Sequence, residues 1–223
     1  MLPALAHIRS WIFDLDNTLY PASADLFGLM DVRMTAYVAK TLGIDDPIEA
    51  RRIQKQYFQQ HGTTMAGLMA AHDVDPHDYL ADVHDIDLDV LREDRRLAEA
   101  IARLPGRKLV FTNGDAPYAT KVLARLGLGK SFEAIHDIHA CAYRPKPEPE
   151  SYASMIAAFG IEPDTSVFVE DMARNLAPAK ALGMTTVWID NGSEQGHDAD
   201  RGFVDFTITD LADWLHDILG DDS

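Results

Sequence analysis

Two patterns of apolar residues alternate along the chain. Short unbroken runs, Trp11-Ile12-Phe13, Leu109-Val110-Phe111, Val167-Phe168-Val169 and Val187-Trp188-Ile189, are each bounded by polar or turn-forming residues. Runs of this length, apolar at consecutive positions, predict strands buried on both faces, as in a parallel sheet. A weaker strand is expected over 134–138 and an edge strand over 206–208. Between the runs, apolar residues recur every three or four positions. They predict helices over 97–104, 117–126, 150–159, 173–182 and 211–219, with Gly127, Gly160 and Gly183 just past the ends of three of them. Strands alternating with helices predict an α/β fold built on an open parallel Rossmann-like sheet.

The stretch 21–92 departs from this alternation. Strand signal is scarce there, and Leu26, Leu29, Met30, Met34, Tyr37, Val38 and Leu42 form a stripe at helical spacing that stops at Gly43. Asp46-Pro47 opens a second helix that runs to His61 and stops at Gly62, and shorter helices are expected over 65–71 and 76–83. The expected organisation is therefore an α/β core from 1–20 and 93–223, interrupted by a helical insert from 21–92. The polar, glycine-containing segment 191–202 is the expected mobile loop.

Composition narrows the function classes. The 223 residues carry a formal net charge of -16, which opposes an extended surface for a nucleic acid polymer but not a small anionic ligand in one cleft. A single cysteine, Cys141, excludes an intrachain disulfide and suits a reducing compartment. No apolar run is long enough to span a bilayer and no charged region followed by an apolar leader opens the chain, so no membrane partner is expected and the cytoplasm is the default.

Chemistry-bearing residues gather at the ends of the apolar runs. The first run closes on Asp14-Leu15-Asp16-Asn17-Thr18, the second on Thr112-Asn113-Gly114, and the third on Glu170-Asp171. A proline-braced segment, Arg144-Pro145-Lys146-Pro147-Glu148-Pro149, sets a lysine ahead of a helix. Ligands of parallel sheets sit outside the carboxyl ends of the strands. Acidic side chains crowded there need a cation or a proton between them.

With Asp14-x-Asp16-x-Thr18 first, then Thr112, Lys146 and the Glu170-Asp171 pair, the chain resembles the haloacid dehalogenase superfamily of phosphohydrolases from Asp14 to about Asn175. The resemblance implies that Asp14 is a nucleophile forming an aspartyl-phosphate. It implies that Asp16 protonates the leaving oxygen and later activates water. Thr112 and the amides about Asn113 would hold phosphoryl oxygens, and Lys146 would offset their charge. Asp14, Asp171 and the backbone carbonyl of Asp16 would hold Mg2+, with Glu170 orienting a metal-bound water. It also implies that the insert is a helical cap over the site. Asn17 stands where glycine is frequent and Asn175 where a further acid is frequent.

Retention of Asp16 favours phosphate ester hydrolysis over dehalogenation, because a departing halide needs no proton. A mutase of sugar phosphates and a non-catalytic phosphate-binding protein are the other readings. Lys40 and Lys55, the lysines of the insert, read as surface residues and not as Schiff-base formers. Within the superfamily, the chain resembles the helically capped subfamily IA and its pyrimidine 5'-nucleotidase branch through Asp14-Leu-Asp-Asn-Thr-Leu-Tyr20, the helix from Gly28, Tyr57-Phe-Gln-Gln-His-Gly62 and Phe168-Val-Glu-Asp-Met-Ala-Arg-Asn-Leu176. That branch implies a nucleoside 5'-monophosphate as the small phosphorylated partner. Asn17, Tyr20, His61, Thr64 and Asn113 are the candidate substrate contacts.

Overall fold

The computed structural model describes residues 2–192 and 201–220. Residues 193–200, which make up most of the expected mobile loop, lie outside the described residues. Six strands, β1 (Ser10–Phe13), β2 (Arg107–Phe111), β3 (Ala134–His136), β4 (Ser166–Glu170), β5 (Thr185–Ile189) and β6 (Phe206–Ile208), form one sheet. Every pairing is parallel and the strand order is β3-β2-β1-β4-β5-β6. β1 lies between β2 and β4, with Ser10 level with both Arg107 and Ser166. Strand order reverses at this point, so the carboxyl ends of β1 and β4 flank a crevice that no crossover connection covers.

Alternation along each strand builds two apolar layers. Trp11 and Phe13 of β1, Val110 of β2, and Val167 and Val169 of β4 enter one cluster with α5 (Arg95–Arg103), α6 (Ala116–Arg125) and α9 (Leu211–Leu219). Ile12, Leu109, Phe111 and Phe168 face the other way, onto α7 (Pro149–Phe159) and α8 (Leu176–Ala181). Residue side chains point to opposite faces at successive strand positions, and here both faces are covered. That is why the strands read as unbroken apolar runs. Cys141 is buried in the second layer, where burial pushes its thiol up to about 11.

Four helices fill the insert: α1 (Leu26–Leu42), α2 (Pro47–His61), α3 (Thr64–His72) and α4 (Pro76–Val83). Asp46, Thr63 and Asp75 cap the last three by accepting from a backbone N–H of the first turn. α1 packs on α2 and α4, and α2 on α3. Gly67 lets α3 approach α2 closely, since a Cβ there would meet Tyr57 Cβ at 2.4 Å. One detail of the apolar stripe differs from expectation. Leu29 is exposed, whereas the charged Asp31 is buried, because Arg51, Gln54 and Lys55 of α2 all meet its carboxylate. Among the described residues no helix is long and apolar enough to cross a membrane.

Candidate active site

Asp14 follows β1 directly, and its N–H still donates to Val169 O at 2.9 Å. Its carboxylate is thereby carried to the crevice by the sheet ladder itself. Glu170 ends β4 and Asp171 follows it, with the Asp171 carbonyl accepting from Trp188 Nε1 at 2.8 Å. Lys146 arrives from the proline-braced loop. That loop is fastened to the turn after β2 by Asn113, whose Oδ1 accepts from Lys146 N at 2.8 Å.

The three donors of the Lys146 ammonium are all used. Nζ donates to Asp14 Oδ1 at 2.6 Å, Glu170 Oε2 at 2.7 Å and Phe111 O at 3.0 Å. Its side chain is 1% exposed, so these contacts act without solvent between them. Burial alone would depress the Lys146 pKa, but the charges of Asp14 and Glu170 and their hydrogen bonds outweigh it, and the pKa is raised. Asp14 moves the other way from an ordinary carboxylate. Burial first, then the charge of Glu170, lift it to about 7, against the opposing pull of Lys146. The second Asp14 oxygen accepts from Thr18 Oγ1 at 3.1 Å.

Asp14, Glu170 and Asp171 bring carboxylate oxygens within 4.8 Å of one another, and all three residues are buried. Three carboxylates against one ammonium leave two negative charges when all are ionised. A hard divalent cation held by oxygen ligands suits that set, so the residues present fit a magnesium ion.

These groups open into a cleft of about 790 Å³ between the sheet edge and the helices of the insert. Asp14, Asp16, Asn17, Asn113, Gly114, Lys146, Glu170 and Asp171 line it from below. Asp31, Arg51, Gln54, Lys55 and Thr64 line it from the insert. Asn17 has φ +57°, a left-handed conformation that asparagine tolerates nearly as glycine does. This accounts for Asn at a position where glycine is frequent.

Several expected site residues sit differently. Thr112 is buried beneath the cleft and its Oγ1 accepts from Gly114 N at 3.0 Å, so its hydroxyl braces the turn while Asn113 and Gly114 line the cleft. Glu170 is engaged by Lys146 and by Met172 N, and acts first as a counter-ion. Tyr20 is buried below the cleft and donates to Asp16. His61, at the exposed C-terminus of α2, meets the edge of Tyr57 and is not among the cleft-lining residues. Thr64 does line the cleft, with its hydroxyl paired to Gln54. Lys55 is no surface bystander, since it reaches Asp31 Oδ1 at 2.7 Å inside the cleft wall.

Other site residues were not marked as such by the sequence. Asp31 and Arg174 lie in segments quoted for the resemblance but without an assigned role, Gln54 on a helical turn whose charge pattern suits any solvated face, and only packing turns them inward. Arg174 lies over the Phe58 ring at 4.9 Å, linking the segment after β4 to α2. Gln54 Oε1, Arg174 Nε and Asn175 Oδ1 are enclosed without a hydrogen-bond partner in the protein, all on cleft-lining residues.

The comparisons with known proteins agree with this geometry. Residues 8–183 match the family model described as haloacid dehalogenase-like hydrolase. Phosphate metabolism protein 8 of Saccharomyces cerevisiae is 28% identical over 195 residues, covering 79% of this chain, which spans 60% of that protein's length. A phosphoglycolate phosphatase of Rhodospirillum rubrum is 28% identical over 93% of this chain and 90% of its own. Among solved structures, a haloacid dehalogenase-like (HAD) phosphatase from Thermococcus onnurineus superposes with a TM-score of 0.63 over 96% of this chain and 98% of that one, at 21% identity. The matched region holds β1 to β4 and the acids at the carboxyl ends of β1 and β4, and the chain belongs to the haloacid dehalogenase-like hydrolase family.

Proposed function

We propose that this hydrolase is a magnesium-dependent phosphomonoesterase that works through an aspartyl-phosphate on Asp14. The observation that carries the reading is the buried Asp14–Lys146–Glu170–Asp171 cluster, with Asp16 beside it, at the point where the strand order reverses. Asp14 attacks phosphorus as the ester P–O bond breaks, and Asp16 gives its proton to the departing oxygen, which leaves as an alcohol. Asp16 then takes a proton from water as that water attacks phosphorus, which releases phosphate and restores the Asp14 carboxylate. Lys146 holds Asp14 in place and offsets the charge that phosphate adds. The Asn113 backbone amide, at the cleft floor, is suited to a phosphoryl oxygen. Magnesium, held by Asp14, Asp171 and the Asp16 carbonyl, would supply charge neutralisation at the phosphoryl group.

On this reading residues 21–92 form a cap domain and residues 1–20 with 93–223 the catalytic core. The substrate's leaving group lies against the insert. That wall offers a polar cluster in which the buried Asp31, Gln54 and Thr64 meet the more exposed Arg51 and Lys55, which favours a leaving group rich in hydrogen-bonding groups. Together with the resemblance of the 14–20, 57–62 and 168–176 segments to the pyrimidine 5'-nucleotidase branch, it supports nucleoside 5'-monophosphates, pyrimidines before purines. Phosphoglycolate is the second candidate, on the identity to the Rhodospirillum rubrum phosphatase over most of both chains.

The test is phosphate release from a panel of nucleoside monophosphates, phosphoglycolate and hexose phosphates, with and without chelator, beside an Asp14→Asn variant. Asp14→Asn should lose more than about 10³-fold in kcat on every substrate. Near wild-type turnover by that variant would overturn the aspartyl-phosphate. Glycolate or hexose phosphate clearly ahead of every nucleotide would overturn the nucleotidase reading alone.

A further inference from the structure

Asp16 lines the cleft, yet one of its oxygens is already spoken for. Tyr20 Oη donates to Asp16 Oδ1 at 2.7 Å, and Tyr118 Oη donates to the same oxygen at 2.6 Å. A carboxylate oxygen presents two lone pairs, so two phenols fill Oδ1. Both rings are fixed: Tyr20 is 3% exposed and Tyr118 1%. Tyr118 is held further from two sides. Its backbone N–H donates to Asp115 Oδ1 at 3.0 Å at the start of α6, and its ring stacks on the His84 imidazole, with centroids 4.2 Å apart and planes 13° from parallel. His84 in turn meets the same Asp115 oxygen at 3.0 Å through Nδ1.

The positions of these residues in the chain matter as much as the distances. Tyr20 is the last residue before the chain leaves for the helical insert. His84 caps the C-terminus of α4, the last insert helix. Asp16 is thereby braced by Tyr20 where the chain enters the insert and, through Tyr118, by His84 at the end of the last insert helix.

We infer that Tyr20 and Tyr118 are positioning residues that saturate Asp16 Oδ1, so that proton exchange with the leaving oxygen and with water passes through Oδ2 alone, and that His84 holds Tyr118 in register from the insert. This rests on the acid–base role proposed for Asp16 above. Both phenol protons are spent in these two hydrogen bonds to Oδ1. Each proton that moves therefore goes between Oδ2 and the ester or water oxygen. Freeing one lone pair on Oδ1 lets the carboxylate rotate and splits its population between productive and idle orientations.

Leaving-group dependence tests the clamp, because a merely structural role would not sort esters by how much they need a proton. Tyr118→Phe and Tyr20→Phe should each lower kcat by about tenfold or more on the best alkyl phosphate of the panel. On p-nitrophenyl phosphate, whose leaving group departs unprotonated, the loss should stay within about twofold when read as the burst of p-nitrophenolate released before water attacks the aspartyl-phosphate. KM should hold in both cases. His84→Ala should shift kcat the same way by a smaller factor, and in an Asp16→Asn background neither tyrosine change should alter the ratio between the two esters further. The two tyrosine variants are independent, so one that fails to fold leaves the other to decide. With Asp14→Asn inactive and Asp16→Asn selective for the aryl ester, equal losses on both esters, or none on either, would overturn the clamp and leave the mechanism standing. An active Asp14→Asn would remove the mechanism itself.

Discussion

Lys146 is the residue on which the site's electrostatics turn. It sits between two buried carboxylates at 2.6 and 2.7 Å with no solvent to screen it. Removing one member of such a group leaves uncompensated charge in a poor solvent for ions. Lys146→Met, which keeps the length of the side chain, should destabilise the fold by about 3–5 kcal/mol at pH 8. The cost should shrink at pH 5.5, where Asp14 can neutralise itself by taking a proton. Urea denaturation at the two pH values checks this, and a cost independent of pH would argue against Asp14 as the group left exposed. Asp171 differs, because the three Lys146 hydrogen bonds go to Asp14, Glu170 and Phe111. Asp171→Asn should raise the magnesium concentration needed for half-maximal phosphate release several-fold while changing thermal stability little.

At the scale of elements, the insert helices pack at close range. α2 and α3 touch where Gly67 faces Tyr57, with no room for a Cβ. Gly67→Val should force the pair apart and destabilise by about 1–3 kcal/mol, the usual cost of overpacking, read as a lowered Tm. Because Thr64 and Gln54 lie on these two helices and line the cleft, the same change should reduce kcat/KM for the preferred ester more than for p-nitrophenyl phosphate. An unchanged ratio would mean that the cleft wall does not touch the leaving group. The polar cluster at Asp31 belongs to this scale too. One carboxylate on α1 gathers Arg51, Gln54 and Lys55 from consecutive turns of α2, so it fixes how the two helices cross as well as what they show to the cleft.

The whole molecule shows how protons and metal compete for one cluster. Asp14 is raised from the ordinary carboxylate value to about 7 when folded. Between pH 4 and 7 the folded protein, without metal, therefore binds a proton that the unfolded chain has released. Its stability falls as pH rises through that window. Magnesium needs Asp14 ionised, so the metal should raise Tm more at pH 8 than at pH 5.5. Differential scanning fluorimetry with and without magnesium measures this directly, and a metal-induced shift equal at both pH values would count against Asp14 as a ligand.

Much of this architecture is legible along the chain, since strands buried on both faces must be apolar at successive positions and the turns that follow them must carry whatever the site uses. Asp14, Asp16, Lys146 and Asp171 announce themselves in this way. The helical insert shows itself by the change of period between residues 21 and 92. What the chain alone could not decide is which polar side chains meet across space. Tyr20 and Thr112 stand in the motifs, but only packing shows that each is turned beneath the cleft, one onto Asp16 and the other onto a turn amide. His61 lies at a suggestive helix end and still points away. Gln54 and Tyr118 sit on helices with no local mark to separate a solvated face from a cleft wall. Periodicity reports the environment of a position along its own element, whereas a site is made where elements separated by tens of residues converge. Tyr118 reaches Asp16 across 102 residues of chain and Lys146 reaches Asp14 across 132, and contacts of that kind exist only once the sheet order is set.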